Sequence, residues 1–480
     1  MFETINRIIC IILLLPILPA FSQEENRDQQ INQAVFNKIE YHFNQQETDS
    51  IYALAGPQFR QSLSLQAFQT VMSQQLYPLG QIQSAEMKSY EDGTGTYRLN
   101  FLSTPLQVVL ALDSLNRIET FLFQPYAGDP VPAQNETPAP PATSGTDSYI
   151  DSVALAYSRR GHTHALAIGV VYGGKTSSYY YGETESGNKQ LPDENTLFEI
   201  GSISKTFTAT LLAYLDQTGM LSVDDSITRY LPDSVAANPD LQRITLLQLA
   251  NHTSGLPRMP DNIETTAAEH PLDPYKDYTQ ADLYSFLASY KATTPPDSIY
   301  AYSNLGFGLL GDILATVYGK PYNEMVQEII CGPLGLTNTT EFPNPDSQYV
   351  AKAYNEDGLE TPLWTFDAFA AHGALKSSVK DLLNYAKAHF KMPESDLEYA
   401  LARTRQFTYF NPPDTDIGMA WHMNLVGDEL VYWHNGATYG SSSYMAFTPD
   451  RKVAVVVLSN TADSVDQVGV SILNAILASQ

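Results

Sequence analysis

Cysteine is almost absent from this sequence, which holds only Cys10 and Cys331 in 480 residues. Cys10 lies in an N-terminal segment that we expect to be removed, so the mature chain is predicted to contain one thiol and no internal disulfide bond. No set of cysteines and histidines has the spacing of a zinc site, so neither a structural metal nor any other cofactor is expected. Cys331 is predicted to be a buried, unreactive thiol at a helix end.

Basic residues are scarce as well. The chain has 27 Lys and Arg against 53 Asp and Glu, which gives a formal net charge of −26. An acidic excess of this size repels phosphate groups, so it excludes nucleic acid as a partner and disfavours binding to anionic lipid surfaces. Hydrophobic residues still make up 43% of the chain, which is enough for a large core and excludes a disordered protein.

Long hydrophobic runs are missing after the first 22 residues. Arg7 precedes an apolar run from Ile8 to Leu18, which is too short to span a bilayer, and small residues at Ala20 and Ser22 are typical of a cleavage site. We therefore predict that residues 1–22 are a signal peptide. The protein is then exported, to the bacterial periplasm or the medium, without stable membrane insertion. A membrane anchor is the alternative interpretation of the same segment.

A proline-rich stretch over residues 126–147 predicts a linker between two domains. In residues 23–125, apolar side chains recur every four residues from Ile31 to Phe43 and then alternate from Tyr97 to Leu122. These periods predict helices followed by three antiparallel strands, a small α+β accessory domain. It resembles a nuclear-transport-factor-like domain, and we expect it to bind a partner or to pair with a second copy.

Residues 148–480 carry predicted strands at both ends and a mostly helical middle. The strands fall at 165–181 and at 419–458, with helices between about 202 and 390 and a last helix up to residue 478. This order predicts one antiparallel sheet assembled from distant segments, with helices on it and a helical insertion facing it across a cleft. Small-molecule sites commonly lie in such clefts.

The pattern S-x-x-K is the first candidate catalytic motif. Ser202 stands at the start of an amphipathic helix, and residues three apart lie on one helix face, so Lys205 can reach it. A desolvated lysine with a lowered pKa can take the proton of a serine nucleophile. The pattern alone is weak, because it occurs three times, at Ser186/Lys189, Ser202/Lys205 and Ser377/Lys380.

The order of further motifs makes the middle match more specific. Tyr302-Ser303-Asn304 follows it and precedes another helix, and His434-Asn435-Gly436 ends a predicted strand of the late sheet. Tyr409-Phe410-Asn411 also fits Y-x-N, but it runs into two prolines and is predicted to be a loop. His252 lies in a predicted turn and is expected to be structural.

With these motifs in this order, the chain resembles the serine β-lactamase and penicillin-binding-protein-like hydrolases, closest to the class C β-lactamase and esterase branch. The resemblance covers about residues 150 to 480 and includes segments at Leu246–Pro257 and Gly373–Leu375. It implies a serine hydrolase with an α/β hydrolase domain of β-lactamase/transpeptidase-like type, an antiparallel sheet flanked by helices plus an α-helical insertion. The substrate is then a small ester, amide or peptide.

The resemblance also implies roles for the motif residues. Ser202 is the nucleophile that forms the acyl-enzyme, and Lys205 and Tyr302 share its proton. Asn304 binds substrate and orients Lys205. The backbone N–H groups of Ser202 and Ala437 form the oxyanion hole.

The third motif departs from the β-lactamase pattern, because His434 stands where a lysine is usual. Gly436 in the same motif lets the strand approach the substrate closely. Histidine is largely neutral at pH 7, so it does not supply the fixed positive charge that attracts substrate carboxylates. This disfavours penicillin hydrolysis and D-Ala-D-Ala recognition, and it favours esterase and D-aminopeptidase members.

Three functions therefore remain open. The first is an exported serine hydrolase of esters or of peptides of D-amino-acid type. The second is a β-lactamase or a cell-wall D-Ala-D-Ala carboxypeptidase with the same nucleophile. The third is a binding protein without catalysis on the same fold, which does not need Ser202, Lys205 and Tyr302 together.

Overall fold

The computed structural model of the protein describes residues 21–82, 84–91, 93–101, 105–125, 145–160, 163–411 and 415–479. Most of the predicted signal peptide and most of the predicted linker lie outside these residues. The chain divides into two compact units, which meet in the sequence at residues 129 and 130. Among the described residues, no helix combines the length and the apolar character that crossing a membrane requires.

The first unit consists of helices followed by a four-stranded antiparallel sheet. The helices are α1 (Phe21–Asn44), α2 (Thr48–Ala53), α3 (Pro57–Ser62) and α4 (Leu65–Val71). The strands follow one another in space as in sequence and are β1 (Ser84–Glu91), β2 (Thr94–Asn100), β3 (Pro105–Leu112) and β4 (Ile118–Pro125).

The core of this unit lies between α1 and one face of the sheet. Phe36 on α1 stacks on Tyr97 of β2 with ring centroids 3.8 Å apart, and Val108 of β3 is buried beside them. The sequence pattern missed one strand, since three were predicted and four are present. The missed strand is β1, an edge strand in which the alternation of Ala85 and Met87 with Glu86 and Lys88 ends at a register shift between Met87 and Ser89. The likeness to a nuclear-transport-factor-like domain stays a prediction.

The second unit is built on an eight-stranded antiparallel sheet. Its spatial order is β11-β12-β13-β14-β15-β16-β5-β6, so strands from the end of the chain lie beside the first hairpin. The strands are β5 (Leu166–Tyr172), β6 (Lys175–Tyr181), β11 (Tyr409–Asn411), β12 (Thr415–Ile417), β13 (His422–Val426), β14 (Glu429–Ala437), β15 (Ser442–Thr448) and β16 (Val453–Ser459).

Two small sheets and a set of helices complete the second unit. Four short strands pair as β7 (Phe198–Glu199) with β10 (Lys376–Ser377) and β8 (Ala353–Tyr354) with β9 (Glu360–Thr361). The earlier helices are α5 (Gly145–Ser158), α6 (Ser204–Gln217), α7 (Asp233–Ala236), α8 (Leu246–Ala250), α9 (Ile263–Glu269) and α10 (Gln280–Ser289). The later helices are α11 (Asn304–Tyr318), α12 (Tyr322–Met325), α13 (Gly332–Leu334), α14 (Ala370–Gly373), α15 (Val379–Ala388), α16 (Asp396–Thr404) and α17 (Asp466–Ala478).

Each face of the large sheet has its own hydrophobic core. On one face, α5 and α17 pack on alternate residues of β16 such as Val455 and Val457. On the other face, Val456 and Leu458 join the core of the helical middle of the chain. Because a strand turns successive side chains to opposite faces, a strand covered on both sides is expected to be apolar on both, as β16 is from Val453 to Leu458.

One local prediction in this unit was wrong. Tyr409–Asn411 was predicted to be a loop, and the structure places it as β11, the outermost strand of the large sheet. An edge strand bonds on one side only, so it tolerates neighbouring prolines that a central strand would exclude.

Candidate active site

The nucleophile candidate Ser202 lies in a short 3₁₀ turn, Gly201–Ile203, that leads directly into α6. Lys205 in the first turn of α6 donates a hydrogen bond from Nζ to Ser202 Oγ at 3.0 Å and a second one to the His372 carbonyl at 2.8 Å. The His372 carbonyl belongs to α14, which packs beside α6. Two acceptors thus hold the Lys205 amine against the Ser202 hydroxyl.

The other two S-x-x-K matches do not form such a pair. Ser377 is fully buried and shares a hydrogen bond with Thr339, while Lys380 pairs with Glu194 at the surface. Ser186 and Lys189 lie in an exposed turn. Within the described chain, only the Ser202 match therefore joins its serine and lysine by a hydrogen bond.

Lys205 is completely buried, which changes its protonation. Burial holds the pKa of Lys205 well below its ordinary value of 10.5, and the charge of Arg258 lowers it further. A lysine with a lowered pKa has its neutral, proton-accepting form within reach at neutral pH. This is the property that a base for Ser202 requires.

Tyr302 is the second group close to Ser202. Burial raises its pKa to about 12, while a side-chain hydrogen bond with Ser202 and the charge of Arg258 act in the opposite direction. Lys205 Nζ lies 5.0 Å from the centre of the Tyr302 ring, and the Arg258 guanidinium lies 5.1 Å from it. The structure thus brings the three predicted catalytic side chains together and adds Arg258 beside them.

His252 contacts two residues of the Y-x-N segment, Tyr302 and Ser303. It lies in a turn, as predicted, with a positive φ of 62°, and its ring stacks on Tyr302 at 4.2 Å. Its Nδ1 accepts the backbone N–H of Ser303 at 3.0 Å. An accepting Nδ1 means that the neutral ring carries its proton on Nε2. Burial favours this neutral form, because it lowers the pKa of His252 well below 6.5.

Asn304 does not make the predicted contact with Lys205, and its role in substrate binding stays a prediction. It is the first residue of α11, is nearly buried, and has no hydrogen-bond partner for Oδ1 among the described residues. The Lys205 amine bonds to Ser202 Oγ and the His372 carbonyl, and Asn304 Oδ1 accepts no hydrogen bond from it. This unpartnered amide oxygen, two residues after Tyr302 in the sequence, leaves Asn304 able to accept a substrate N–H.

The end of β14 runs directly against the Ser202 segment. A Cβ on Gly436 would overlap the Ile200 carbonyl oxygen and lie 2.8 Å from the Ser202 nitrogen. A Cβ on Gly201, whose φ is +46°, would lie 2.8 Å from the Ala437 nitrogen. Glycine at 436 therefore allows β14 to approach the Ser202 segment closely. The close approach of the same strand to a substrate stays a prediction. The two predicted oxyanion donors, Ser202 N–H and Ala437 N–H, belong to these adjoining backbones.

His434 is buried and neutral. Burial lowers its pKa well below 6.5, and the neighbouring His422 and Lys205 lower it further. Its Nδ1 lies 2.6 Å from the Asn435 carbonyl, and its Nε2 has no partner among the described residues. The predicted lack of a fixed cation in the third motif agrees with this environment.

Glu199 joins three segments around the site and was not predicted from the sequence. It is buried on β7, three residues before the nucleophile, and accepts hydrogen bonds from the Trp364 N–H at 2.6 Å and the Thr438 hydroxyl at 2.7 Å. Burial raises its pKa, and Lys376 on the paired strand opposes that change. Glu199 thus links the Ser202 segment to Thr438, the residue that follows β14.

The comparisons with known proteins point to one family. The model of the Beta-lactamase family matches residues 150–478. A D-alanyl-D-alanine-carboxypeptidase/endopeptidase of Escherichia coli K12 is 34% identical over 333 residues, 66% of this chain and 83% of the relative. A Beta-lactamase of Lysobacter lactamgenus is 26% identical over 362 residues, 68% of this chain and 90% of the relative.

The solved structure of a class C beta-lactamase mutant superposes with a TM-score of 0.63 at 25% identity. The match covers 70% of this chain and 97% of that structure. This likeness confirms the predicted class of fold for the second unit, an antiparallel sheet combined with helices.

Proposed function

Because the chain belongs to the beta-lactamase family of serine hydrolases, we propose that it cleaves esters or peptides of D-amino-acid type through an acyl-enzyme on Ser202. One observation carries the proposal. The buried Lys205 amine lies 3.0 Å from Ser202 Oγ, with its pKa lowered by burial. A serine without such a neighbour is a weak nucleophile at neutral pH.

The proposed reaction begins with attack of Ser202 Oγ on the substrate carbonyl carbon. Neutral Lys205 takes the hydroxyl proton, and Tyr302 passes a proton to the leaving oxygen or nitrogen. The Ser202 and Ala437 N–H groups stabilise the negative charge on the carbonyl oxygen. Water then attacks the acyl-enzyme, releases the acid and restores Ser202. We propose that Lys205 and Tyr302 titrate as one unit, since the amine lies 5.0 Å from the centre of the ring.

The buried, neutral His434 supports substrates that need no cation at the third motif. A neutral imidazole hydrogen-bonds a substrate, but it attracts a carboxylate weakly. Esters and D-aminopeptidase substrates fit this environment. Asn304 supports an amide or peptide substrate, because its free Oδ1 can accept the N–H next to the scissile bond.

A β-lactamase or a D-Ala-D-Ala carboxypeptidase is the second candidate. The relatives support it, since they include beta-lactamases and a D-alanyl-D-alanine-carboxypeptidase/endopeptidase. A binding role without catalysis has less support, because Ser202, Lys205 and Tyr302 are all retained and adjacent.

Export and the role of the first unit belong to the same proposal. The charged start, short apolar run and small residues of 1–22 support an exported, periplasmic or secreted protein. We propose that the first unit binds a partner or pairs with a second copy, because it has a separate core and none of the three motifs.

Three reagents tested side by side examine the proposal: a short-chain 4-nitrophenyl ester, a chromogenic cephalosporin and a fluorescent penicillin. The ester should acylate wild type on Ser202, which mass spectrometry of the peptide detects, and Ser202→Ala should lose both the adduct and turnover. Ser186→Ala is the matched control, because Ser186 is an exposed serine of another S-x-x-K match.

The pattern of reactivity separates the candidates. Reaction with the ester alone supports the first, and efficient turnover of the cephalosporin supports the second. Full turnover by Ser202→Ala would refute the assignment of the nucleophile, and no reaction with any reagent would support the binding protein.

A further inference from the structure

The predicted motifs leave the site without a permanent positive charge. Burial lowers the pKa of both Lys205 and His434, so each is held toward its neutral form. Family members with lysine at the position of His434 have a fixed cation there. If this protein binds an anionic substrate, the charge must come from another element.

Arg258 supplies a permanent charge at the same site. It lies in the loop between α8 and α9, and its guanidinium is 5.1 Å from the centre of the Tyr302 ring. Its side chain is exposed. A guanidinium keeps its proton at every pH at which the protein is folded, in contrast to the buried lysine and histidine.

The backbone of Arg258 is fixed to the helix that carries Asn304. Its carbonyl accepts the N–H groups of Asn304 at 3.0 Å and Leu305 at 3.1 Å, the first two residues of α11. One residue earlier, the Pro257 carbonyl accepts the Ser303 hydroxyl at 2.7 Å. The loop therefore holds the Arg258 main chain in place while the side chain lies along the Tyr302 ring and reaches solvent.

Arg258 has no acidic partner in the described part of the chain. Other arginines do pair with carboxylates, at Arg117–Asp113, Arg229–Asp225, Arg403–Asp216 and Arg451–Glu429. Although the chain has 53 acidic and 27 basic residues, the guanidinium over the Tyr302 ring has no carboxylate partner among the described residues and can take one from a ligand. Its planar set of donors matches the two oxygens of a carboxylate.

We propose that Arg258 binds a carboxylate of the substrate, so that the enzyme selects acyl compounds that carry a free carboxylate although its third motif has no lysine. The inference rests on the proposed function of the site and names its substrate class. It assigns recognition to the loop that precedes α9, on a different element from the third motif.

A second role for Arg258 would have a different signature. Its charge also acts on Tyr302 and Lys205, lowering the pKa of each. An electrostatic effect on these two groups changes the reaction of every substrate alike. Recognition of a carboxylate changes only the substrates that possess one, so paired ligands separate the two roles.

The test measures binding to Ser202→Ala protein by calorimetry and needs no turnover. The neutral reference is N-acetyl-D-alanyl-D-alanine amide. The matched ligands are N-acetyl-D-alanyl-D-alanine, with a carboxylate on the leaving side, and N-succinyl-D-alanyl-D-alanine amide, with one on the acyl side. We expect at least one of them to bind about tenfold more tightly than the reference, a typical gain from a charge-assisted contact.

Replacing the guanidinium should remove that preference. Adding Arg258→Gln should bring the carboxylate ligand to the affinity of the reference, and Arg258→Lys should keep part of the preference through its charge. Arg243→Gln is the control, because it removes an exposed arginine from another loop of the same unit. The folded state of each variant is checked by its melting temperature.

The proposal is overturned if the three ligands bind equally, including no binding at all, or if the preference survives Arg258→Gln. Failure of the proposed function is recognised separately, by the lack of a Ser202 adduct and of turnover in wild type. Because binding is measured without the nucleophile, either result can occur without the other.

Discussion

Lys205 illustrates how much of the proposed chemistry depends on the surroundings of one side chain. A buried ammonium is unfavourable unless it is paired, and its partners here are a hydroxyl and a carbonyl with no carboxylate. Two dipoles offset desolvation only in part, so its pKa falls. The same site with an acidic neighbour would keep the lysine charged and would lose the base.

Replacing Lys205 should therefore remove acylation without unfolding the protein. Lys205→Met keeps an unbranched side chain of similar length and should slow acylation of the ester by about a hundredfold or more, the usual range for a lost general base. Lys205→Arg should not restore the rate, because guanidinium stays protonated. Pre-steady-state measurement of nitrophenol release checks both, and a fast acylation phase in either variant would contradict the mechanism.

His389 gives a prediction about stability at the same scale. It is buried, stacks on Phe447, and has no hydrogen-bond partner for either ring nitrogen among the described residues. Burial and the charge of Arg405 lower its pKa well below 6.5. Below pH 6.5 the unfolded chain binds a proton at this residue that the folded chain does not, so folding stability decreases as the pH falls.

His389→Phe should remove this contribution. Relative to wild type, the variant should gain up to about 2 kcal/mol of unfolding free energy on going from pH 7.5 to pH 5. Urea titrations at both pH values measure the difference. An equal change in stability for the two proteins would mean that His389 is protonated in the folded state.

At the scale of elements, the contact between the end of β14 and the nucleophile turn decides the geometry of the site. The strand and the turn come from segments more than two hundred residues apart, and glycine on each side lets the two backbones approach. The predicted oxyanion donors, the N–H groups of Ser202 and Ala437, belong to these two backbones, so their spacing depends on this contact.

Gly436→Ala should disturb that spacing. The added methyl group would overlap the Ile200 carbonyl, which costs about 1–3 kcal/mol as overpacking and displaces the strand. A displacement of about 1 Å lowers rates on the order of a hundredfold. Ester turnover and thermal melting measure the two effects. Gly427→Ala, in the hairpin at the far end of β14, is the control. It strains a positive φ of 63° with no atom nearby, so it should lower stability and keep kcat.

The spacing of apolar residues along the sequence predicted those helices and strands that bury one face in a core. The stripe from Val35 to Phe43 is buried on α1, and alternate residues of β2 are buried against it. It failed at β1, where a register shift interrupts the alternation, and at β11, which has only three residues. The pairing of such a segment depends on the strand beside it, and local periodicity does not record that neighbour.

At the scale of the whole molecule, each unit has its own hydrophobic core, and the three motifs all lie in the second one. We expect a protein shortened to residues 145–480 to fold and to hydrolyse the ester at the rate of the full chain. The measurement is kcat/KM of the shortened and full-length proteins. An insoluble or inactive product would show that the first unit helps to form the site.

The candidate site could be predicted only where function depends on residue type at fixed spacing. Ser202 and Lys205 are three residues apart on one helix, so their contact follows from helical geometry. Three other contacts of the site were not predicted. The His372 carbonyl, which accepts from Lys205, is a backbone group that any residue type provides. Glu199 bonds to Thr438, and Arg258 contacts Tyr302 from a loop, so both contacts join distant segments. These contacts depend on how α14, β14 and α11 pack, which no local pattern records.

The order of strands in the large sheet also determines when this protein can fold during its synthesis. β5 and β6 leave the ribosome early, but β5 lies between β6 and β16, and the Ala165 N–H bonds to Asn460, 295 residues further along the chain. The apolar edge of β5 therefore stays unpaired until almost the whole polypeptide has been made. Pairing over such a separation is slow, and an open edge invites other strands. The new chain thus remains exposed to aggregation until its last strand arrives.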